Sequence, residues 1–298
     1  MNTTNKQRPI LLLGGSGYIG SEFRRILSER GISFVSASRK TVDYTTTDGL
    51  NRLIADHRPR FLINASGFTG KPNVDACEIN KAECLAGNAV FPGLVRNVCD
   101  CHQVPWGQVS SGCIYTGTKP DGSGFREIDP PNFTFRQDNC SFYSGSKALG
   151  EEILQDAENC FVWRLRVPFS NVDSPRNYIS KILNYNRLLN VRNSLSQLCD
   201  FVSGCLKCIE KDLEPGVYNM TNAGSVTTKE VVEIVKRNGL ATKEFHFFNS
   251  EEEFMKLAAK TPRSSCVLDC SKAIAAGIEL PPVHEALDEV MRNWKKIQ

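Results

Sequence analysis

Ile10-Leu-Leu-Leu-Gly14-Gly-Ser-Gly17-Tyr-Ile-Gly20 is the stretch that decides the fold. Four apolar residues bounded by glycine read as a buried strand. Gly14, Gly17 and Gly20 then form Gly-x-x-Gly-x-x-Gly, running into a helical pattern. The first glycine permits a tight turn. The second lets backbone approach a pyrophosphate, and the third lets the helix pack close to the strand. A lone glycine motif also suits a plain strand–helix turn. Its place between a strand and a helix favours a dinucleotide site comprising Gly14, Ser16, Gly17, Tyr18, Ile19 and Gly20.

Outward from this turn, short apolar runs alternate with helical periodicity. Strands are predicted over 10–13, 33–36, 61–64, 107–110 and 161–164, and helices over 20–30, 48–57, 75–101 and 143–158. Such alternation implies a parallel sheet with helices on both faces. The fold class is α/β, a Rossmann-type doubly wound parallel sheet with a smaller C-terminal substrate-binding lobe. Residues 1–166 read as the dinucleotide-binding domain. Residues 167–298 read mainly as the lobe, with segments returning to the first domain. There the pattern is less regular, with helices near 175–185, 196–211, 227–238 and 282–294 and short strands near 189–191 and 217–220. Residues 115–142 form the longest irregular stretch, and a loop of that length in a compact domain is usually functional.

The second strand ends at Ser38-Arg39-Lys40. NAD sites usually place an acid there for the ribose diol, whereas an arginine accommodates a 2′-phosphate. Arg39 therefore favours NADPH/NADP over NAD, the alternative being a solvated basic turn. Asp43-Tyr44 are placed to flank the adenine. Asn64-Ala65-Ser66-Gly67 closes the third strand beside the cofactor, where small residues let backbone come close.

Composition narrows the function. The 298 residues are 41% hydrophobic and 23% charged, with a net charge of +3. No basic block points to nucleic acid, and no apolar run approaches the ~18 residues of a membrane span. The polar N-terminus lacks a signal-peptide pattern, so a cytoplasmic location is expected. Twelve cysteines then read as free thiols. Cys205-x-x-Cys208 has no second pair, and the four histidines are scattered, so no metal site is expected.

Ser111 and Cys113 lie two apart at the end of the fourth strand, so a hydroxyl and a thiol share one strand face. Tyr143-Ser-Gly-Ser-Lys147 opens a helix, and its spacing of four puts phenol and ammonium on one face. The ammonium favours the phenolate, making Tyr143 a usable proton donor and acceptor near neutral pH. Ser111 would hydrogen-bond the same carbonyl oxygen. The group suits proton delivery during hydride transfer, or proton removal beside a carbonyl.

With these residues in place the chain resembles the extended short-chain dehydrogenases/reductases. Within them it is similar to the 3,5-epimerase/4-reductases that make UDP-L-rhamnose, and more distantly to dTDP-4-dehydrorhamnose reductases. Segments 71–78, 111–115, 122–127, 130–133, 141–144, 165–168, 175–182, 192–195 and 218–222 carry the resemblance. It implies a nucleotide-sugar substrate and a reductive triad of Ser111, Tyr143 and Lys147. It also implies an epimerising Cys113 partnered by Lys181. Tyr143, Lys147 and Arg166 would touch the cofactor. Thr69, Gly70, Asn73, Asn88, Cys113, Asn177, Lys181 and Asn193 would touch the substrate. The chain departs from the pattern at Ala76, where plant enzymes have tryptophan, at Tyr115, where phenylalanine is frequent, and over 196–200.

A 4-keto sugar has acidic hydrogens on carbons 3 and 5, because the enolate charge rests on the keto oxygen. One oxygen-binding pair can therefore serve both epimerisation and reduction. A reductase without epimerase activity, and a non-catalytic dinucleotide-binding regulator, are the competing readings. The helical patterns at 75–101 and 142–158 suit a two-fold interface in a homodimer and equally a buried core.

Overall fold

The computed structural model describes residues 8–296. The chain divides into two compact units. The first holds the described residues to Ser111, with Phe142–Arg164 and Cys205–Tyr218. The second holds Gly112–Ser141, Leu165–Gly204 and the chain from Asn219 on.

The first unit is built on β1 (Ile10–Leu13), α1 (Tyr18–Glu29), β2 (Phe34–Ser36), α2 (Thr47–His57) and β3 (Phe61–Asn64). A 3-10 turn (Val74–Glu78) and a broken helix α3 follow, the latter made of Lys81–Leu85, a π turn Ala86–Val90 and Phe91–His102. Then come β4 (Trp106–Ser111), α4 (Phe142–Ile153) and β5 (Cys160–Leu165). The sixth strand of the sheet, β10 (Gly216–Asn219), arrives later in the chain. Strand order is β10-β5-β4-β3-β1-β2 in a parallel sheet. The chain runs from β1 outward to β2, then crosses back to β3 on the other side of β1. That reversal is a topological switch point, where open α/β sheets bind ligands beyond the strand ends.

Strands β1, β3 and β5 are buried along their whole length. Continuous apolar runs are what a parallel sheet covered on both faces requires. On one face Leu11, Leu13, Leu62, Trp106 and Val162 pack with Leu50, Ile54, Val95, Cys99 and Leu154. Elsewhere Trp163 meets Phe23, Phe61 and Phe161 at ring separations of 6.5, 6.2 and 5.9 Å.

The continuous helix expected over 75–101 is broken. Asn73 caps the 3-10 turn by accepting from the Asp75 N–H at 2.8 Å. The backbone of Asn80 leaves helical geometry, and the π turn follows at Ala86–Val90. The Asn88 carbonyl there lies 2.1 Å from where a Cβ on Gly150 would stand, so α3 and α4 approach as only glycine permits.

The second unit carries β6 (Pro168–Phe169), α5 (Tyr178–Asn184), β7 (Arg187–Leu188), β8 (Arg192–Asn193) and β9 (Ser196–Gln197). Helix α6 (Leu198–Glu210) begins in it. Beyond β10 lie β11 (Val226–Thr227), α7 (Thr228–Arg237), β12 (His246–Phe247), α8 (Glu251–Leu257), α9 (Ser271–Ala275) and α10 (Val283–Arg292). Its core gathers Phe169, Ile179, Val231, Val235, Leu287 and Val290. A capping box of Thr227 and Glu230 starts α7.

Residues 112–141 group with this unit. Main-chain pairing is the cause. Gly117 bridges Cys266 and Phe125 bridges Leu268. Asn132 clasps both the N–H and the carbonyl of Thr116, at 2.8 and 3.0 Å.

Burial and the neighbouring Glu289 push the Asp200 carboxyl in this unit up to about 6, against the hydrogen bond from Asn222 at 2.6 Å. A raised acid binds its proton more tightly in the folded state. Its contribution is therefore complete below the ordinary value near 4 and is lost as pH rises through 6. Urea midpoints should fall between about pH 4 and about pH 6.5, and the fall should flatten in Asp200→Asn. An identical slope in wild type and variant would refute the assignment.

Candidate active site

At the β1–β3 switch point the first unit opens a cleft of about 1240 Å³. Gly14, Ser16, Gly17, Arg39, Ala65, Ser66 and Gly67, all expected from the sequence, line it. Gly14 has φ +76°, and a Cβ there would lie 2.6 Å from the Ser66 nitrogen. A Cβ on Gly20 would lie 2.1 Å from the Gly14 carbonyl oxygen. The turn, the start of α1 and the end of β3 are therefore in backbone contact. Helix α1 begins at Gly17 without a side-chain cap, and a helix start of this kind suits an anion. This cradle fits a dinucleotide pyrophosphate.

Asn64 is buried. It donates to Gln108 at 2.8 Å and accepts from the Ser66 N–H at 3.0 Å, so it shapes the cradle from beneath. Tyr18, Ile19 and Gly20 build the helix start and do not line the cleft. Arg24, Ser36, Tyr44 and Phe91 do line it. Arg24 escaped the motif reading because it sits one helical turn beyond the last glycine.

Ser111 ends β4, and Tyr143 and Lys147 lie on the first turns of α4. Lys147 is only 7% exposed and donates to the Val109 carbonyl of β4 at 3.2 Å. The amine is thus fixed against the strand that carries Ser111. One further turn along, Glu151 accepts from Ser110 Oγ at 2.5 Å and pairs with Arg164 of β5 at 2.7 Å. Glu78 accepts from the Phe142 N–H at 2.8 Å and so caps α4. Spacing alone could have flagged Glu151, which continues the Tyr143, Lys147 series at intervals of four.

Several residues expected at ligands are committed to the protein itself. Asn88, 2% exposed, accepts from the Phe68 N–H at 2.9 Å and donates to its carbonyl at 2.8 Å and to Ser146 at 3.1 Å. Ser146 in turn donates to the Tyr143 carbonyl at 2.7 Å. Asn88 therefore ties the cleft-lining strand end to the first turn of α4. In the second unit Asn177 is buried as the N-cap of α5 and donates to the Ser170 and Val172 carbonyls at 2.8 and 2.7 Å. Asn193 accepts from buried Arg166 at 2.6 Å and from the Cys266 N–H at 3.1 Å. Arg166 also donates to the Ser264 carbonyl. These hydrogen bonds are architectural, and they are what the structure gives for Asn88, Asn177, Asn193 and Arg166, the residues expected at ligands. Each amide or guanidinium bonds backbone groups that are at least partly buried.

Cys113 lies in a 3-10 turn (Gly112–Ile114) and is 5% exposed. Cys266 donates to the Gly112 carbonyl at 3.2 Å and pins that turn. Lys181 is on α5. Burial, then the charges of Arg176 and Arg263, hold its ammonium below the usual lysine value. Thr69 and Gly70 precede the 3-10 turn capped by Asn73. Among the described residues no His, Cys, Asp and Glu cluster could hold a metal ion, and no helix is long and apolar enough to cross a membrane.

A dinucleotide cradle at the switch point, in the unit that carries Tyr143 and Lys147, defines an extended short-chain dehydrogenase/reductase. A family model described as the RmlD substrate binding domain matches residues 8–296, and the chain belongs to that family of nucleotide-sugar reductases and epimerases. An Arabidopsis thaliana bifunctional dTDP-4-dehydrorhamnose 3,5-epimerase/dTDP-4-dehydrorhamnose reductase is 32% identical over 285 residues, covering 93% of this chain and 90% of that protein. A trifunctional Arabidopsis UDP-glucose 4,6-dehydratase/UDP-4-keto-6-deoxy-D-glucose 3,5-epimerase/UDP-4-keto-L-rhamnose-reductase is 33% identical over 282 residues. That match covers 93% of this chain and only 40% of the longer protein. The L780 UDP-rhamnose synthase of Acanthamoeba polyphaga mimivirus has the same fold, with TM-score 0.87, 24% identity and coverage of 96% and 99% of the two chains.

Replacing Glu151 by alanine should leave the buried Arg164 charge without its partner. The expected cost is about 3–5 kcal/mol of stability, read as a lower denaturation midpoint. A midpoint unchanged from wild type would show that the ion pair does not hold α4 to β4 and β5.

Proposed function

We propose that the protein uses NADPH to convert a nucleotide-linked 4-keto-6-deoxyhexose by 3,5-epimerisation and 4-keto reduction, with UDP-4-keto-6-deoxyglucose going to UDP-L-rhamnose. The observation that carries this reading is the fixed placement of Lys147 against the strand of Ser111, on the helix that also presents Tyr143.

In this reading Ser111 donates a hydrogen bond to the keto oxygen and Tyr143 delivers the proton to it. Lys147 supplies positive charge that favours the phenolate after the transfer. The Gly14–Gly20 cradle would hold NADPH and Arg39 would accommodate its 2′-phosphate, so that the cofactor would supply the hydride. During enolisation the same hydroxyls stabilise the negative charge on the keto oxygen. Cys113 is the acid/base for the ring carbons, and Lys181 is its partner. A lysine with a lowered pKa releases its proton more readily, which suits protonation of an enolate carbon or biasing of the thiol. The burial of Cys113 favours a narrower second reading, reduction without epimerisation, in which the thiol is a small buried hydrophobe.

The protein, UDP-4-keto-6-deoxyglucose and NADPH in deuterated water should yield UDP-L-rhamnose with deuterium at carbons 3 and 5. Tyr143→Phe should slow NADPH oxidation by about 10²- to 10⁴-fold. Cys113→Ala should suppress deuterium exchange while leaving reduction of an already epimerised substrate largely intact. Exchange undiminished in Cys113→Ala would remove the thiol from the mechanism. No NADPH consumption with UDP-, dTDP- or GDP-linked keto sugars would overturn the whole reading.

A further inference from the structure

The adenosine end of the cleft holds a cation that the glycine motif does not announce. Arg24 of α1 lines the cleft together with Ser36, Ser38, Arg39 and Lys40 from the end of β2. Arg24 is four residues after Gly20, so both lie on one face of α1. Gly20 abuts the Gly14 carbonyl, which directs that face at the glycine turn. The side chain follows. Arg24 Cδ is 3.1 Å, and Ser36 Oγ 2.2 Å, from the point where a Cβ on Gly15 would stand. The two side chains thus converge over Gly15, in space that any residue but glycine would fill.

Its neighbour shows the contrast. Arg25 is engaged by Glu22 at 2.5 Å and Glu29 at 2.7 Å on the outer face of the helix. Arg24 has no carboxylate partner among the described residues. The stretch Ser36-Ala-Ser-Arg-Lys40 contains no acid to accept from a ribose diol. The nearby acid, Asp43, takes hydrogen bonds from the Thr45 N–H and hydroxyl at 3.1 and 2.6 Å. The groups lining this end are two guanidinium groups, an ammonium and the hydroxyls of Ser36, Ser38, Tyr44 and Thr45. The Asp43 charge lies near Arg39, and Arg24 is not among its partners. Guanidinium groups match phosphate oxygens through paired N–H donors.

We propose that Arg24 and Arg39 form a two-sided clamp for a phosphate monoester on the 2′ position of the adenosine ribose, and that Arg24 determines the preference for 2′-phosphorylated dinucleotides. This rests on the dinucleotide reading of the cleft. Arg39 reaches the phosphate from the turn after β2, and Arg24 from α1 across Gly15.

Calorimetric titration of the full chain with 2′,5′-ADP and with 5′-AMP tests the clamp without turnover. Wild type should bind 2′,5′-ADP more tightly than 5′-AMP. Arg24→Gln should weaken 2′,5′-ADP about 10- to 100-fold, the range for one charge-assisted contact, and leave 5′-AMP within about two-fold. Arg24→Lys should recover part of the loss, and Arg25→Gln should change neither ligand. Equal affinity of wild type for the two ligands would defeat the 2′-phosphate reading itself. A wild-type preference that survives in Arg24→Gln, or a loss shared equally by 5′-AMP, would defeat the role of Arg24 alone.

Discussion

Backbone approaches backbone without intervening side chains where Gly14, Gly20 and Ser66 meet, and the first unit is organised around that contact. A Cβ at Gly14 would stand 2.6 Å from the Ser66 nitrogen, and one at Gly20 would stand 2.1 Å from the Gly14 oxygen. Such distances leave no room for relaxation, because both neighbours are main chain. The contact brings the end of β1, the start of α1 and the end of β3 together at the strand-order reversal. It thereby creates an uncapped helix start facing a cleft. Phosphate recognition by backbone N–H groups needs that arrangement and little else.

A second set of constraints holds α4, the helix of Tyr143 and Lys147, in place. Glu78 caps its first turn, Ser146 bonds the Tyr143 carbonyl, Lys147 reaches β4, and Glu151 joins Ser110 and Arg164. A buried ion pair contributes little net stability against an apolar alternative. Its value here is geometric, since removal of either partner leaves a charge in the core and frees the helix to shift. Asn88 links this helix to the cleft, with one amide bonded to both Phe68 main-chain groups and to Ser146. The cleft and the helix of Tyr143 and Lys147 are thus parts of one hydrogen-bonded assembly within the first unit.

The sheet strands were legible because each is a short apolar run ended by a turn residue, and burial on both faces demands that pattern. The helix over 75–101 was read as continuous because apolar periodicity continues through 80–90. Periodicity does not register a π turn, which shifts the phase without interrupting the apolar residues. The grouping of 112–141 with the second unit was not legible for a related reason. Its pairing partners, 264–269, are more than a hundred residues away, and isolated bridges leave no local signature. Asn177, Asn193 and Arg166 fall in motif segments, and their hydrogen bonds to the scaffold were not legible there. Buried polar residues recur in such segments equally well when they satisfy backbone.

The sequence by itself determined the parallel sheet, the glycine cradle and the same-face placement of Tyr143 and Lys147. All three follow from local periodicity and from the steric freedom of glycine. Tertiary structure alone decided which polar residues line the cleft and which satisfy buried backbone. It also decided that Arg24 turns toward the cleft while Arg25 turns to Glu22 and Glu29. Adjacent arginines on a helix are indistinguishable in composition. The packing of Gly20 on Gly14, with Phe23, Ile26 and Leu27 buried on the same helix, sets the rotation of α1 and with it the arginine that lines the cleft.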